Sequence, residues 1–152
     1  MDQPSHKRSV LKAARTHLEN TAAELRERIS ELRAVTIGDE NAESASQTES
    51  TRGSDVELMN SLGEQLVHVQ QELERMKAVE EAGPMNTVQY GAVVHTDQRH
   101  FLIATSIDEF DAGGFRYLGV TPKAPVIQAL YGKKVGEQAT INGVTYAITS
   151  IF

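Results

Sequence analysis

Three carboxylates, Asp39, Glu40 and Glu43, fall in the polar stretch TIGDENAESASQTESTRGS, residues 36–54, which is nearly free of large apolar side chains. Nothing nearby desolvates or neutralises such acids, so they stay hydrated and ionised. Carboxylate oxygens are the ligands that hard divalent cations favour, but Mg²⁺ holds its waters and wants near-octahedral geometry. A few acids on a flexible tip therefore make no tight site alone. They could complete a Mg²⁺ site whose other ligands come from a partner. Spacing alone leaves a second reading open, a solvated loop whose acids serve solubility.

Other chemistries have less support. The histidines, His6, His17, His68, His95 and His100, contain no HxxxH or HExxH pair, so zinc ligation has no spacing to rest on. No P-loop, GxGxxG or GxSxG is present, which removes the usual motifs of nucleotide binding and acyl transfer. Without cysteine there is no disulfide framework, thiolate metal site or cysteine nucleophile, and a reducing compartment fits. Asp111-Ala112-Gly113-Gly114 reads as a loop between two strands. A small basic cluster, Lys7, Arg8, Lys12 and Arg15, places Arg8, Lys12 and Arg15 on one helix face. That face could meet a nucleic-acid strand or an acidic protein surface, or simply be solvated.

The elements that must position these groups are limited by length. A chain of 152 residues holds one ordinary domain, or a small domain with an extension. Aromatics are 5% with no Trp, which argues against a large aromatic-lined pocket. A net charge of -6 argues against a general nucleic-acid binder, since phosphate neutralisation needs a basic excess. The N-terminus lacks an apolar h-region and nowhere do about 18 apolar residues run together, so the expectation is a cytoplasmic protein that does not enter a membrane.

Leu11, Leu18, Leu25 and Leu32 recur every seven residues in a stretch without Gly or Pro, a heptad pattern. A second stripe, Met59, Leu62, Leu66, Val69, Leu73 and Met76, alternates spacings of three and four. Asp55 is suited to cap its start and Gly83-Pro84 to stop it. Two such stripes joined by a polar connector predict an antiparallel coiled-coil hairpin over residues 1–82, with the acidic tip at 36–54. Dimerisation of the stripes between chains is the rival arrangement.

Past Gly83-Pro84 the period changes. Val88–Thr96, His100–Ser106, Phe115–Thr121, Ala139–Ile141 and Val144–Ile151 are rich in Val, Ile, Thr and Tyr and predict about five strands of a small antiparallel sheet. Asn142-Gly143 suits a type I′ hairpin turn. Pro125–Tyr131 predicts one short helix, with Pro in its first turn and Gly132 after it. The fold class is thus α+β, with the sheet domain at 83–152.

The segment Ala124-Pro125-Val126-Ile127-Gln128-Ala129-Leu130-Tyr131-Gly132-Lys133-Lys134-Val135-Gly136-Glu137 is similar to a helix-and-turn motif, reading SPxxxALLGKxxGD, of the Gre family of bacterial transcript cleavage factors. The resemblance covers residues 84–152 well and the helical hairpin in architecture more than in residues. It implies an FKBP-like C-terminal domain, without prolyl isomerase activity because aromatics are too few for that pocket. It also implies docking on bacterial RNA polymerase at the secondary channel, near Pro125, Gln128, Lys133 and Lys134. The tip acids would then help hold a Mg²⁺ jointly with the polymerase, and the nascent RNA 3′ end would be met indirectly, with Arg8, Lys12 and Arg15 as an RNA-facing cluster.

The family tip reads approximately GDLSENAEY. Here Gly38-Asp39-Glu40-Asn41-Ala42-Glu43-Ser44 keeps GD and ENAE and lacks two residues between them. Asp39 matches the first functional acid, Glu40 matches the second across that gap, and Glu43 completes the cluster. The implied role is a monomeric factor, not an enzyme on its own, that assists the polymerase's cleavage of backtracked RNA. The alternatives are a non-catalytic secondary-channel regulator, and a coiled-coil adaptor unrelated to transcription.

Overall fold

The computed structural model describes residues 3–39 and 45–152, and the side chains of 5–35 and 53–152. Two helices come first, α1 (Gln3–Asp39) and α2 (Ala45–Glu81), followed by strands β1 (Val93–Thr96), β2 (His100–Ile103), β3 (Ile107–Ala112) and β4 (Phe115–Val120), helix α3 (Pro125–Leu130), and strands β5 (Gln138–Ile141) and β6 (Val144–Ile151). The chain divides into two compact units, Met1–Leu18 with Glu72–Phe152, and Glu19–Gln71. No helix among the described residues is long and apolar enough to cross a membrane.

In the Glu19–Gln71 unit, Ala22, Leu25, Leu62 and Val69 lose nearly all exposure, drawing on both helices. Leu62, Val69 and, in the other unit, Met76 are seven residues apart and buried, as a heptad seam requires. One expectation for this region is corrected. Asp55 lies inside α2, which begins at Ala45, because the polar residues 45–54 do not have to bury a face in order to be helical.

The other unit begins with the start of α1 and the end of α2. The Lys7 ammonium donates to the Gly83 carbonyl and the Arg15 guanidinium pairs with Glu80. Partners on α2 thus descend as α1 ascends, so these two helix ends run antiparallel. Val10, Leu11, Ala14, Met76 and Val79 are buried here. Gly83, at φ 77°, terminates α2, since the left-handed region is open to glycine at no steric cost.

The sheet has six strands in the order β3-β4-β2-β1-β6-β5. Two expectations are corrected here. The pairing of β2 with β4 is parallel, His100 opposite Tyr117 through Ile103 opposite Val120, while the other pairs are antiparallel. The extra strand is β3, in which Ile107, Phe110 and Ala112 are buried while Asp108, Glu109 and Asp111 face solvent. It returns the chain to the outside of β4, which makes a parallel β2–β4 pair possible with a short connection.

One face of the sheet carries a core of Val94, Phe101, Ile103, Val120, Ile148 and Ile151, closed by Ile127 and Leu130 of α3. Pro125 opens α3 and the helix stops at Leu130, with Gly132 at φ 79°. Val88 lies outside β1 and exchanges hydrogen bonds with the turn after α3, its amide to Lys133 O at 2.9 Å and its carbonyl from Gly132 N at 2.8 Å. The β5–β6 turn places Asn142 at φ 49° and Gly143 at φ 79°, the two positive values that a type I′ turn needs.

Candidate functional site

The opposite face of the sheet builds a polar cluster that no periodic pattern of residues announces. Side chains alternate between faces along a strand, so His95 in β1 points away from the Val94 core, and His100 in β2 away from Phe101. The strand register then sets His95 opposite His100 and His100 opposite Tyr117. The two imidazoles stack with centroids 4.0 Å apart. Phe110 of β3 stands opposite Tyr117, with ring centroids 5.8 Å apart.

The start of α1 completes the cluster. His6 Nε2 lies 2.7 Å from the Tyr117 hydroxyl oxygen, and His95 Nε2 lies 2.7 Å from the same oxygen. A phenol has one proton to donate. One imidazole must therefore accept that proton through a bare Nε2 while the other donates its own Nε2–H. Phe115 and Phe152 pack their rings against His6 at centroid distances of 5.7 and 4.9 Å. The β3–β4 turn lies alongside, with the methyl position of Gly113 3.5 Å from the His6 ring. The segment read as a plain loop therefore also packs a histidine.

Burial decides the charge state. Tyr117 is wholly inaccessible and His6 and His95 are each 7% exposed. Desolvation first, with the neighbouring His100 and His6 adding to it, pushes His95 down to about 4. Burial likewise lowers His6 and His100, the latter against a raising hydrogen bond at the Arg99 backbone. The Tyr117 hydroxyl is held protonated by its burial. Lys7 is also lowered by burial. At neutral pH the cluster is a chain of uncharged donors and acceptors.

Beside it opens a cleft of about 340 Å³ lined by His100, Phe115, Arg99, Arg116 and Glu109, among others. Its charges are paired among themselves. Arg99 bonds Glu109, and Arg116 lies 3.5 Å from Glu109 and 3.2 Å from Asp111. No group of three or more His, Asp or Glu side chains able to hold a metal occurs among the described residues.

The residues singled out from sequence are distributed as follows. Asp39 is the last residue of α1, with its side chain outside those described, and Glu40 and Glu43 lie outside the described residues. Pro125 and Gln128 are exposed on α3. Lys133 is half-buried in the following turn, and the amide of exposed Lys134 donates to Glu137 at 3.0 Å. These four belong to one short helix-and-turn. Of the basic cluster, Arg8 and Lys12 are exposed, while Arg15 is engaged by Glu80.

No family model, curated protein or solved structure matches this chain.

Proposed function

We propose that this protein is a Gre-like factor that binds bacterial RNA polymerase at the secondary channel and assists cleavage of backtracked RNA. The observation that carries the reading is the segment Ala124–Glu137 placed on α3 and its turn. Ile127 and Leu130 of that segment are buried in the core, while Pro125, Gln128 and Lys134 are exposed. Ile127 and Leu130 thus serve the fold, while the exposed positions, Tyr131 and Val135 included, are open to a partner. A pair of long helices ahead of a small sheet, read as an FKBP-like domain, is the matching architecture. Asp39 and Glu40, with Glu43 beside them, would present carboxylate oxygens, the donor type that suits Mg²⁺. The ion, held jointly with the polymerase, would supply charge stabilisation to the oxygens of a phosphodiester under hydrolysis.

A second reading is favoured by the tip itself, which lacks two residues relative to the family pattern. A misplacement of about 1 Å can cost on the order of 100-fold in rate, so a channel occupant that regulates without cleavage also follows. RNA cleavage by stalled complexes separates the two. Asp39→Ala and Glu40→Ala are expected to reduce cleavage at least about tenfold while leaving co-elution with polymerase core intact. Unchanged cleavage in both variants removes the acids from the reaction. Binding without any RNA shortening, and competition with a genuine cleavage factor, establishes the occupant. Failure to co-elute at low salt ends both readings.

A further inference from the structure

The His6, Tyr117 and His95 chain has no part in that reading, and it joins the first turns of α1 to the middle of the sheet. We propose that it is a proton-releasable latch: neutral imidazoles hold the start of α1 on β1 and β4, and acidification frees that helix end while the sheet stays folded. The partner chemistry is the hydronium ion itself, and the device operates whatever the protein binds.

The argument begins with donor arithmetic. With both histidines neutral, the Tyr117 hydroxyl and the two Nε2 atoms that face it are satisfied, since one imidazole accepts and the other donates. A proton added to the accepting imidazole turns it into a second N–H donor toward the phenol oxygen. The phenol hydrogen then loses its imidazole acceptor, and the Phe115 and Phe152 rings beside it do not replace that acceptor. A buried donor left unpaired is costly. Further charge is worse, because His95 stacks at 4.0 Å on His100 and lies 5.4 Å from His6.

Among the described side chains, no carboxylate acts to favour a charge on His6, His95 or His100. On α1 the neighbouring Lys7 is cationic and bonds the Gly83 carbonyl. The β2 and β4 neighbours Arg99 and Arg116 are cationic as well, and the β3 acids Glu109 and Asp111 are already paired with them. At the end of β6 the main-chain oxygen of Phe152 accepts from the Val93 amide at 3.2 Å. Burial itself opposes a charge on His6.

The helix end yields first because less holds it. His95 and His100 sit on paired strands inside the sheet, so exposing either one breaks the ladder. His6 needs only the first turns of α1 to lift, which costs the Tyr117 bond, the ring contacts and the Lys7 bond. All three imidazoles are held neutral by the fold. Their contribution to stability is therefore complete above the ordinary histidine value of about 6.5 and declines as pH falls through that value toward the lower folded ones.

Hydrogen exchange on the full chain, normalised for the intrinsic pH dependence of exchange, tests this. From pH 7.5 to 5.0 the protection of residues 7–9 is expected to fall about tenfold relative to β1, β2 and β4. His6→Phe keeps a ring in the aromatic cage and cannot take up a proton, so its α1 protection should be flat over the same range. Should that variant not fold, histidine NMR of the unmodified protein decides. At pH 7.5, one of His6 and His95 should carry its proton on Nε2 and the other on Nδ1, with His6 titrating below 6.5. Loss of protection in helix and sheet together, no loss at all, or a His6 that titrates as a free histidine overturns the latch.

Discussion

The Glu19–Gln71 unit and the sheet unit place their apolar residues differently. In the first, burial runs in single file through Ala22, Leu25, Leu62 and Val69, and the large side chains Val35, Val56, Leu58 and Val67 stay largely in water. In the second, ten residues from four strands, α3 and the segment before β1 form one buried cluster. A seam transmits a local defect only to its neighbours along the helices. A close-packed cluster shares the defect among all its members. The contrast explains how one chain can carry a pair of helices tolerant of polar interruption beside a core that is not.

The largest break in that contrast should come from Phe101→Ala, which empties a wholly buried ring from the cluster. It is expected to cost about 3–5 kcal/mol in urea unfolding followed by exchange of the β1, β2 and β4 amides. A loss below about 1 kcal/mol would mean that the cluster is not close-packed. The two units also differ in what their glycines do. A methyl at Gly119 would sit 2.6 Å from the Thr105 carbonyl oxygen and 2.7 Å from Ile107 Cβ. Gly119→Ala should therefore destabilise the sheet by about 1–3 kcal/mol, the range for overpacking. Gly63, inside α2, has nothing within 4 Å of that position. Gly63→Ala is expected to stabilise the Glu19–Gln71 unit by about 1 kcal/mol through helix propensity, read as greater amide protection there. Glycine variants that shift in the same direction would erase the distinction between the units.

Much of this fold was legible in the sequence where one local pattern sufficed. The heptad leucines marked α1, and Leu11, Leu18 and Leu25 are buried as that pattern required. Asn142-Gly143 gave the β5–β6 turn, and Pro125 with Gly132 bracketed α3. The misses share a cause. Asp111-Ala112 reads as loop and Ile107–Phe110 has no apolar run to mark a strand, although outward acids are ordinary on an edge strand, where they discourage pairing with other chains. The polar run before Asp55 reads as a connector because it has few large apolar side chains, yet α2 begins within it, at Ala45. The histidine cluster was invisible for a different reason. Positions 6, 95, 100 and 117 come from four elements, and only strand register and the docking of a helix end bring them together.

The hydroxyl that His6 meets belongs to a residue 111 positions later, and the partners of Lys7 and Arg15 follow them by 76 and 65. Ribosomes deliver a polypeptide from its amino end. The start of α1 thus leaves the ribosome well before Glu80, Gly83 and Tyr117, and its side chains must wait for those partners during synthesis.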